Sequence, residues 1–148
     1  MSYKGRFIPR HPEKYSGDPT MIIYRSLWER RVMSSLDQNP NVLKWSSEEH
    51  IVPYKSPVDG RWHRYFPDFV IRTRDRDGRV ATKMLEVKPH SQTLQPKPHS
   101  GKGKPSRKYL NEVIQYTINS SKWAAARDFC EDRGWEFVVL TEKELGIK

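Results

Sequence analysis

Two apolar runs in the middle of this chain are each interrupted by acidic side chains, and this pattern restricts the fold more than any other feature. The first run is Phe66-Pro67-Asp68-Phe69, and the second, Leu85-Glu86-Val87-Lys88-Pro89, begins 17 residues after the aspartate. Residues two apart in a β-strand share a face, so Glu86 and Lys88 would project together, opposite the aliphatic residues that enter the core. Charged groups inside an apolar strand are costly to bury unless they bind something. The runs therefore predict two strands that bring charged side chains to one edge of a sheet.

Length and composition limit the domain organisation and the class of partner. The chain has 148 residues, enough for one domain with a substantial core and too few for two. It contains 27 Lys and Arg against 18 Asp and Glu, a formal net charge of +9. This favours a polyanionic partner, because phosphates that bind basic side chains release their counterions. The alternative is a basic surface that serves solubility alone.

The single cysteine and the hydropathy pattern indicate the cellular compartment in which the protein occurs. Cys130 has no partner for an intramolecular disulfide, and its position on the apolar face of a predicted helix indicates a buried, small hydrophobic residue. No run approaches 18 apolar residues, and no signal-peptide hydrophobic region is present. We therefore expect a protein that is cytosolic or is packaged from the cytosol, without a membrane partner.

The first part of the chain divides into a basic, proline-rich stretch and a helix. Residues 1–23 contain four basic residues and three prolines, which predicts an extended basic arm, either disordered or lying on DNA or a protein partner. A helix should begin near Ser26, an N-cap with Glu29 three residues later in a capping-box pattern, and end at 37–41. We expect the folded domain to comprise residues 24–148.

The rest of the chain alternates strand-like runs with turns, then forms a long helix. Turn residues separate three predicted strands, and a helix interrupted near 119–121 and ending at Gly134 precedes a fourth strand. The strands are predicted at 49–54, 64–73, 80–88 and 135–141, and the helix at 106–133. Residues 89–108 hold four prolines, five basic residues and no acidic residue, which predicts a flexible basic loop. The order of elements is αβββαβ.

This order and the two acidic motifs resemble the restriction-endonuclease-like nuclease superfamily. Its PD-(D/E)XK signature, Pro-Asp followed after a gap by an acid, any residue and Lys, is matched at 67–68 and 86–88. The resemblance implies an α/β fold with a mixed four-stranded sheet flanked by helices. A more specific resemblance, to the head completion nucleases of T-even-type tailed phages, is carried by 23–29, 39–42, 47–49, 51–54, 63–69 and 140–142. TnsA-like transposon endonucleases have a similar arrangement of a glutamate helix, Pro-Asp-Phe and Glu-Val-Lys.

The resemblance implies a phosphodiester hydrolase that uses Mg²⁺ or Mn²⁺. Asp68 and Glu86 would supply the hard oxygen ligands that Mg²⁺ prefers, and the main-chain carbonyl of Val87 would complete the site. Glu29 would add a third carboxylate, directly or through water. Each acid also has a structural interpretation: Asp68 can open a strand, Glu86 can belong to an exposed edge, and the capping box explains Glu29 without a metal.

Further residues are candidates for the reaction and for DNA contact. Lys88 would orient or deprotonate the attacking water and offset charge on the phosphate, and Gln115 on the long helix would support the lysine or the phosphate. His63 and Arg64 could face the scissile phosphate, since on an extended strand Arg64 and Asp68 share a face. Gln115, His63 and Arg64 can equally be solvated surface residues. Basic side chains in the 89–108 loop would grip phosphates without reading sequence; they are Lys97, Lys102, Lys104, Arg107 and Lys108.

Three functions remain open from the sequence. The first is a Mg²⁺-dependent endonuclease acting on double-stranded DNA in phage head completion after packaging, with head or portal proteins as further partners, in the host cytoplasm or the virion. The second is a structural head-completion or DNA-binding protein with a nuclease-like fold. The third is a TnsA-like transposon or restriction endonuclease subunit. Zinc is excluded because the chain has no Cys-x-x-Cys or His-x-x-x-His spacing.

Overall fold

A mixed four-stranded sheet lies at the centre of the computed structural model, which describes residues 3–146. The helices and strands in chain order are β1 (Gly5–Arg6), β2 (Ile23–Tyr24), α1 (Leu27–Gln38), β3 (Val42–Ser47), β4 (Val52–Lys55), β5 (Trp62–Tyr65), β6 (Phe69–Arg74), β7 (Val80–Val87), α2 (Arg107–Arg133), β8 (Glu136–Leu140) and α3 (Glu142–Leu145). Short 3-10 helices occur at Pro12–Lys14 and His90–Thr93. Within the described residues, no helix is both long and apolar enough to span a membrane.

The central sheet has the strand order β3-β6-β7-β8. Strands β3, β6 and β7 are antiparallel neighbours, and β8 returns parallel to β7 after the crossover through α2. The register places Phe69 opposite Leu85 and Glu86 opposite Val139. The two acidic motifs therefore meet at one end of the sheet, where β6 starts and β7 finishes. The predicted α/β fold, with a mixed four-stranded sheet flanked by helices, is confirmed.

Apolar side chains pack on both faces of this sheet. On the α1 face, a cluster forms around Trp45 and Phe69, both fully buried, and it includes Leu85. On the α2 face, a second cluster contains Met84 together with Trp123 and Cys130 of the helix; its other buried members are Val52, Tyr54, Tyr65 and Ala126. Because neighbouring residues of a strand point to opposite faces, β7 sends Leu85 towards α1 and Met84 towards α2. The burial predicted for Cys130 is confirmed, and its Sγ lies 3.8 Å from the Met84 Sδ.

The first strand of the sheet was missed, and two predicted strands were placed wrongly. Strand β3 at 42–47 pairs with β6, whereas the predicted strand at 49–54 yields β4, which pairs with β5 in a separate two-stranded hairpin. The predicted strand at 64–73 is two strands in two sheets, β5 and β6. Proline at position 67 lacks the N–H that a continuous ladder needs, and its ring restricts φ. The αβββαβ order of the central sheet is confirmed with β3 as its first strand.

The amino-terminal segment packs against the domain. Tyr15 and Ile22 are buried in the α1-side cluster, and Lys14 donates three hydrogen bonds of 2.8 Å to carbonyls at the end of α1. The carboxylate of Asp37, itself buried, accepts from the backbone N–H groups of Arg10 and His11. The segment contains β1 and a 3-10 helix, and the predicted boundary between residues 23 and 24 falls inside β2, which pairs with β1.

Helix α2 runs without interruption, so the predicted break near 119–121 is wrong. Its N-cap is Ser106, whose Oγ accepts from the Tyr109 N–H at 3.1 Å, and it ends at Gly134 in the left-handed conformation. The apolar side chains that pack on the sheet hold residues 119–121 helical despite their low propensity. The predicted 89–108 loop is therefore shortened, because Arg107 and Lys108 belong to α2.

Candidate active site

Asp68 occupies the break between the hairpin and the central sheet, where its backbone and side chain are both held. Its carbonyl accepts a hydrogen bond from the Glu48 N–H at 3.1 Å. Its carboxylate Oδ2 accepts from the Val87 N–H at 2.7 Å. Pro67, which is buried, interrupts the strand, so the aspartate stands just before the start of the central strand β6 and not inside a ladder. The Pro-Asp sequence thus fixes one carboxylate against the end of β7.

Glu86 is the second carboxylate of the site and lies near the end of β7. It is 6% exposed, and its Oε1 has no hydrogen-bond partner among the described residues. Strand alternation places it on the α2 side of the sheet with Met84, while Leu85 packs on the α1 side. The predicted separation of Glu86 from its apolar neighbours is therefore present, although both faces of the strand are covered.

The electrostatics of Asp68 show that the two carboxylates interact. Burial raises the pKa of Asp68 well above its usual value, and the nearby charge of Glu86 raises it further. The hydrogen bond from the Val87 N–H acts in the opposite direction, and the charge of Glu29 adds a smaller repulsion. Two buried like charges are unfavourable unless a cation or a proton lies between them. This pair is therefore suited to bind a positive group.

The donor set fits a hard divalent cation. Two carboxylates, one with a buried oxygen that has no protein partner, are the ligands that Mg²⁺ takes when it keeps several of its waters. Within residues 3–146, no three His, Cys, Asp or Glu side chains lie close enough to hold a metal as they stand. The fit therefore rests on Asp68 and Glu86, and the parts assigned to Glu29 and the Val87 carbonyl stay predictions.

Glu29 makes one of the two contacts of the predicted capping box, and its carboxylate bonds the Ser26 hydroxyl in place of the Ser26 N–H. Its N–H donates to the Ser26 Oγ at 3.1 Å, and the Ser26 hydroxyl donates to its carboxylate at 3.3 Å. Burial raises the pKa of Glu29, whereas the hydrogen bonds from Ser26 and the Arg25 backbone lower it. The helix start thus holds a half-buried carboxylate within electrostatic range of Asp68.

Lys88 follows the last residue of β7, and its N–H donates to the Leu140 carbonyl at 2.9 Å. The side chain is half-buried and belongs to none of the ion pairs in the described part of the chain. Its charge and that of Glu86 both act on Lys122 of α2, and the common face of Glu86 and Lys88 stays a prediction.

The sequence did not single out Lys122 and Tyr65, which the structure adds to this site. Burial lowers the pKa of Lys122, with opposing effects from Glu86 and Asp68 and a further lowering from Lys88. Burial, followed by the charge of Glu86, raises the pKa of Tyr65 far above its usual value. A signal was available for Tyr65, since it is an aromatic residue two positions before Pro67 of the Pro-Asp motif. Lys122 had none, because only the packing of α2 brings it to the sheet edge.

Gln115 lies on α2 beside a cavity of about 960 Å³. Its Nε2 donates to the Asn119 Oδ1 at 3.0 Å, and its own side chain is exposed. Arg107 and Lys108 line the same cavity. Among residues 3–146, no hydrogen bond joins Gln115 to the acidic pair, so its support of the lysine or the phosphate stays a prediction.

The other predicted DNA contacts lie on the surface. His63 contacts Asp59 through a hydrogen bond of 2.8 Å and stacks on Tyr54, and the Arg64 guanidinium lies 6.0 Å from the Phe66 ring centroid. Because the strand breaks at Pro67, the argument that Arg64 shares a face with Asp68 is wrong. All the basic residues predicted in the loop have exposed side chains; they are Lys97, Lys102, Lys104, Arg107 and Lys108.

The mixed four-stranded sheet flanked by helices is a restriction-endonuclease-like arrangement, and comparison with known proteins gives the family. The TnsA-like endonuclease N-terminal family model matches residues 39–142, and the chain belongs to this family. The head completion nuclease of Enterobacteria phage T4 is 37% identical over 152 aligned residues, which cover 100% of this chain and 99% of that protein. No solved structure gives a significant match. These similarities confirm both resemblances seen in the sequence and support a nuclease role with DNA as substrate.

Proposed function

We propose that this chain is a Mg²⁺-dependent DNA endonuclease that acts in phage head completion after DNA packaging. The observation that supports it most directly is the Asp68–Glu86 pair, two mutually repelling carboxylates at the end of the two inner strands, one of them hydrogen-bonded to the end of β7. A structural protein gains nothing from this repulsion, whereas a metal-dependent nuclease needs it. The similarity to the T4 protein supplies the biological setting, the host cytoplasm during assembly or the virion.

The acidic pair would hold Mg²⁺ or Mn²⁺, with the Val87 carbonyl as a further oxygen donor and Glu29 contributing directly or through water. The ion, when bound, lowers the pKa of a water ligand and neutralises charge on the phosphodiester. The Val87 N–H fixes the direction of one Asp68 oxygen, so the other oxygen stays free to act as a ligand. Pre-set ligands of this kind need no rearrangement during the reaction.

Lys88 would act on the water and the phosphate. An ammonium group next to the acidic pair can hold the attacking water and offset the negative charge that develops as the water oxygen bonds to phosphorus and the opposite P–O bond breaks. Gln115 would support this lysine or the phosphate from α2. Because half-buried Lys88 has no ion pair within residues 3–146, its charge is free for an anionic substrate.

Surface charge would hold the DNA. The net charge of +9 supports sequence-independent contact with phosphates, and five exposed basic residues between positions 97 and 108 would supply much of it. His63 and Arg64 would add contacts beside the Pro-Asp motif.

The test is cleavage of supercoiled circular and linear duplex DNA during a Mg²⁺ and Mn²⁺ titration. We expect the wild-type chain to nick or cut only with a divalent cation. Asp68→Ala, Glu86→Ala and Lys88→Ala should each reduce the rate by at least about 100-fold while folding and DNA affinity persist. Asp132→Ala, which removes an exposed acid of α2, should cut normally. Normal cutting by the three site variants would refute the site.

Phage complementation separates the enzyme from a structural head protein. If the Asp68→Ala and Glu86→Ala chains still yield infectious particles, the fold acts as a structural component and its chemistry is idle. We expect particle infectivity to disappear together with cleavage.

A further inference from the structure

The side chain of Lys122 is fixed between two aromatic rings of the hairpin. Its Nζ lies 5.8 Å from the ring centroid of Tyr54 and 5.5 Å from that of Tyr65. Cation–π contact at such distances holds an ammonium over the ring faces. A lysine in solution samples many rotamers, and ordering it opposes binding. Here the packing of α2 on the hairpin has already restricted the side chain.

The charge of this lysine lies within electrostatic range of Glu86 and Asp68 but forms an ion pair with neither of them. Glu86 and Asp68 act on Lys122 electrostatically, yet no carboxylate among the described residues lies within ion-pair distance of its Nζ. Lys88 also acts on it, as a like charge. Two ammonium groups that lie near each other repel, even beside two acids. Their arrangement becomes favourable when an anion binds to both of them.

The charge balance indicates which anion that is. With both carboxylates ionised, the two acids and two lysines sum to zero, and a divalent cation on the acids raises the total to +2. A phosphodiester carries one negative charge for each phosphate, and its non-bridging oxygens accept from ammonium groups. The site would therefore attract a DNA backbone more strongly with Lys122 than without it.

We propose that Lys122 is a phosphate-binding residue, whose ammonium contacts a non-bridging oxygen of the DNA phosphodiester beside Asp68 and Glu86, with Tyr54 and Tyr65 setting its direction. This inference rests on the proposed endonuclease function and deepens it by adding a substrate contact from α2. It assigns separate origins to the two lysines: Lys88 comes from the end of β7, and Lys122 comes from α2, the helix that packs on the Glu86 face of the sheet.

The test measures binding of a fluorescent duplex oligonucleotide against KCl concentration in EDTA, where no divalent cation contributes. Lys122→Met removes the charge and keeps the length, Lys122→Arg keeps the charge, and Lys55→Met is the control, an exposed lysine of the same hairpin. We expect Lys122→Met to reduce the slope of log K against log salt by about 0.9, the value for one neutralised phosphate. Lys122→Arg and Lys55→Met should keep the wild-type slope.

Steady-state cleavage with Mg²⁺ supplies the second readout. Lys122→Met should raise KM about tenfold, and Lys122→Arg should restore most of the wild-type KM. The inference is overturned if Lys122→Met keeps the wild-type slope and KM, or if Met and Arg lower the melting temperature equally with no change of slope, since the lysine then only packs on the tyrosines. A wild-type chain that binds DNA but never cuts it would refute the endonuclease instead, and the salt slope would still test the contact.

Discussion

At the scale of single residues, opposing interactions act on Asp68. The Val87 N–H stabilises its charged form, whereas burial and the neighbouring Glu86 charge stabilise its neutral form, and the net effect raises its pKa. Folding therefore favours a proton on this carboxyl. A functional acid held in this state lowers the stability of the chain at neutral pH until a cation binds.

The first prediction is that Asp68→Asn stabilises the metal-free chain at neutral pH. Because the folded pKa of Asp68 lies above the usual 3.8, its favourable contribution is complete below pH 3.8 and disappears as the pH rises through the folded value. The asparagine keeps an acceptor for the Val87 N–H and carries no charge. Thermal unfolding in EDTA should show the variant melting a few degrees higher at pH 7, with the difference shrinking towards pH 4.

Adding Mg²⁺ is the control for this prediction. It should raise the melting temperature of the wild-type chain, because a ligand that binds only the folded state stabilises it, and it should leave the Asp68→Asn variant nearly unchanged. A variant that melts below wild type at pH 7 in EDTA would contradict the assigned repulsion.

At the scale of elements, the end of α1 is stabilised by a segment distant in sequence. The last carbonyls of a helix have no partners within it, and the Lys14 ammonium donates to the carbonyls of Leu36, Asp37 and Asn39. A positive charge at this end also interacts favourably with the helix dipole. The amino-terminal segment thus completes the helix that carries Glu29.

The second prediction is that Lys14→Met destabilises the chain by about 1–3 kcal/mol. Three carbonyls are then left without their charged donor, and hydrogen bonds to charged groups contribute more than neutral ones. Chemical denaturation monitored by circular dichroism measures the change. Lys4→Met, an exposed lysine of the same segment, should leave the stability within about 0.5 kcal/mol of wild type. Equal effects of both changes would mean that the segment does not depend on the Lys14 hydrogen bonds.

At the scale of the whole molecule, exposed positive charge is concentrated between the end of β7 and the start of α2. The exposed lysines at 97, 102 and 104 precede α2, and the chain as a whole carries +9. Side chains on an irregular segment contact phosphates without a fixed geometry towards base edges. Affinity for DNA should therefore be large, salt-dependent and nearly independent of sequence.

The third prediction concerns the Lys97→Gln, Lys102→Gln and Lys104→Gln triple variant. It should weaken duplex binding by a similar factor for unrelated sequences and reduce the salt slope by up to about 2.7, since each phosphate that is no longer neutralised accounts for about 0.9. Fluorescence anisotropy at several salt concentrations measures both. The melting temperature should stay constant because these side chains are exposed. Weaker binding confined to one DNA sequence would instead indicate base readout by this loop.

The sequence by itself determined the local features: the helix before the acidic motifs, the Ser26 cap, the Gly134 helix end, and the alternation that separates Glu86 from Leu85 and Val87. Strand alternation, helix capping and the left-handed conformation of a glycine at a helix end each depend on only a few neighbouring residues. They can therefore be predicted from the sequence alone. The two acidic motifs are also local features of the sequence. They meet at one end of the sheet as soon as the strands that carry them pair in register.

Only the tertiary structure decided which strands form the sheet and which side chains surround the acids. Strand β3 pairs in the sheet although Ser46 and Ser47 look like turn residues, and Pro67 sends β5 into a separate hairpin. That hairpin carries Tyr65, and α2 packs across it with Lys122. No local rule relates positions 65, 86 and 122, because their proximity arises from the burial of apolar faces between elements distant in sequence.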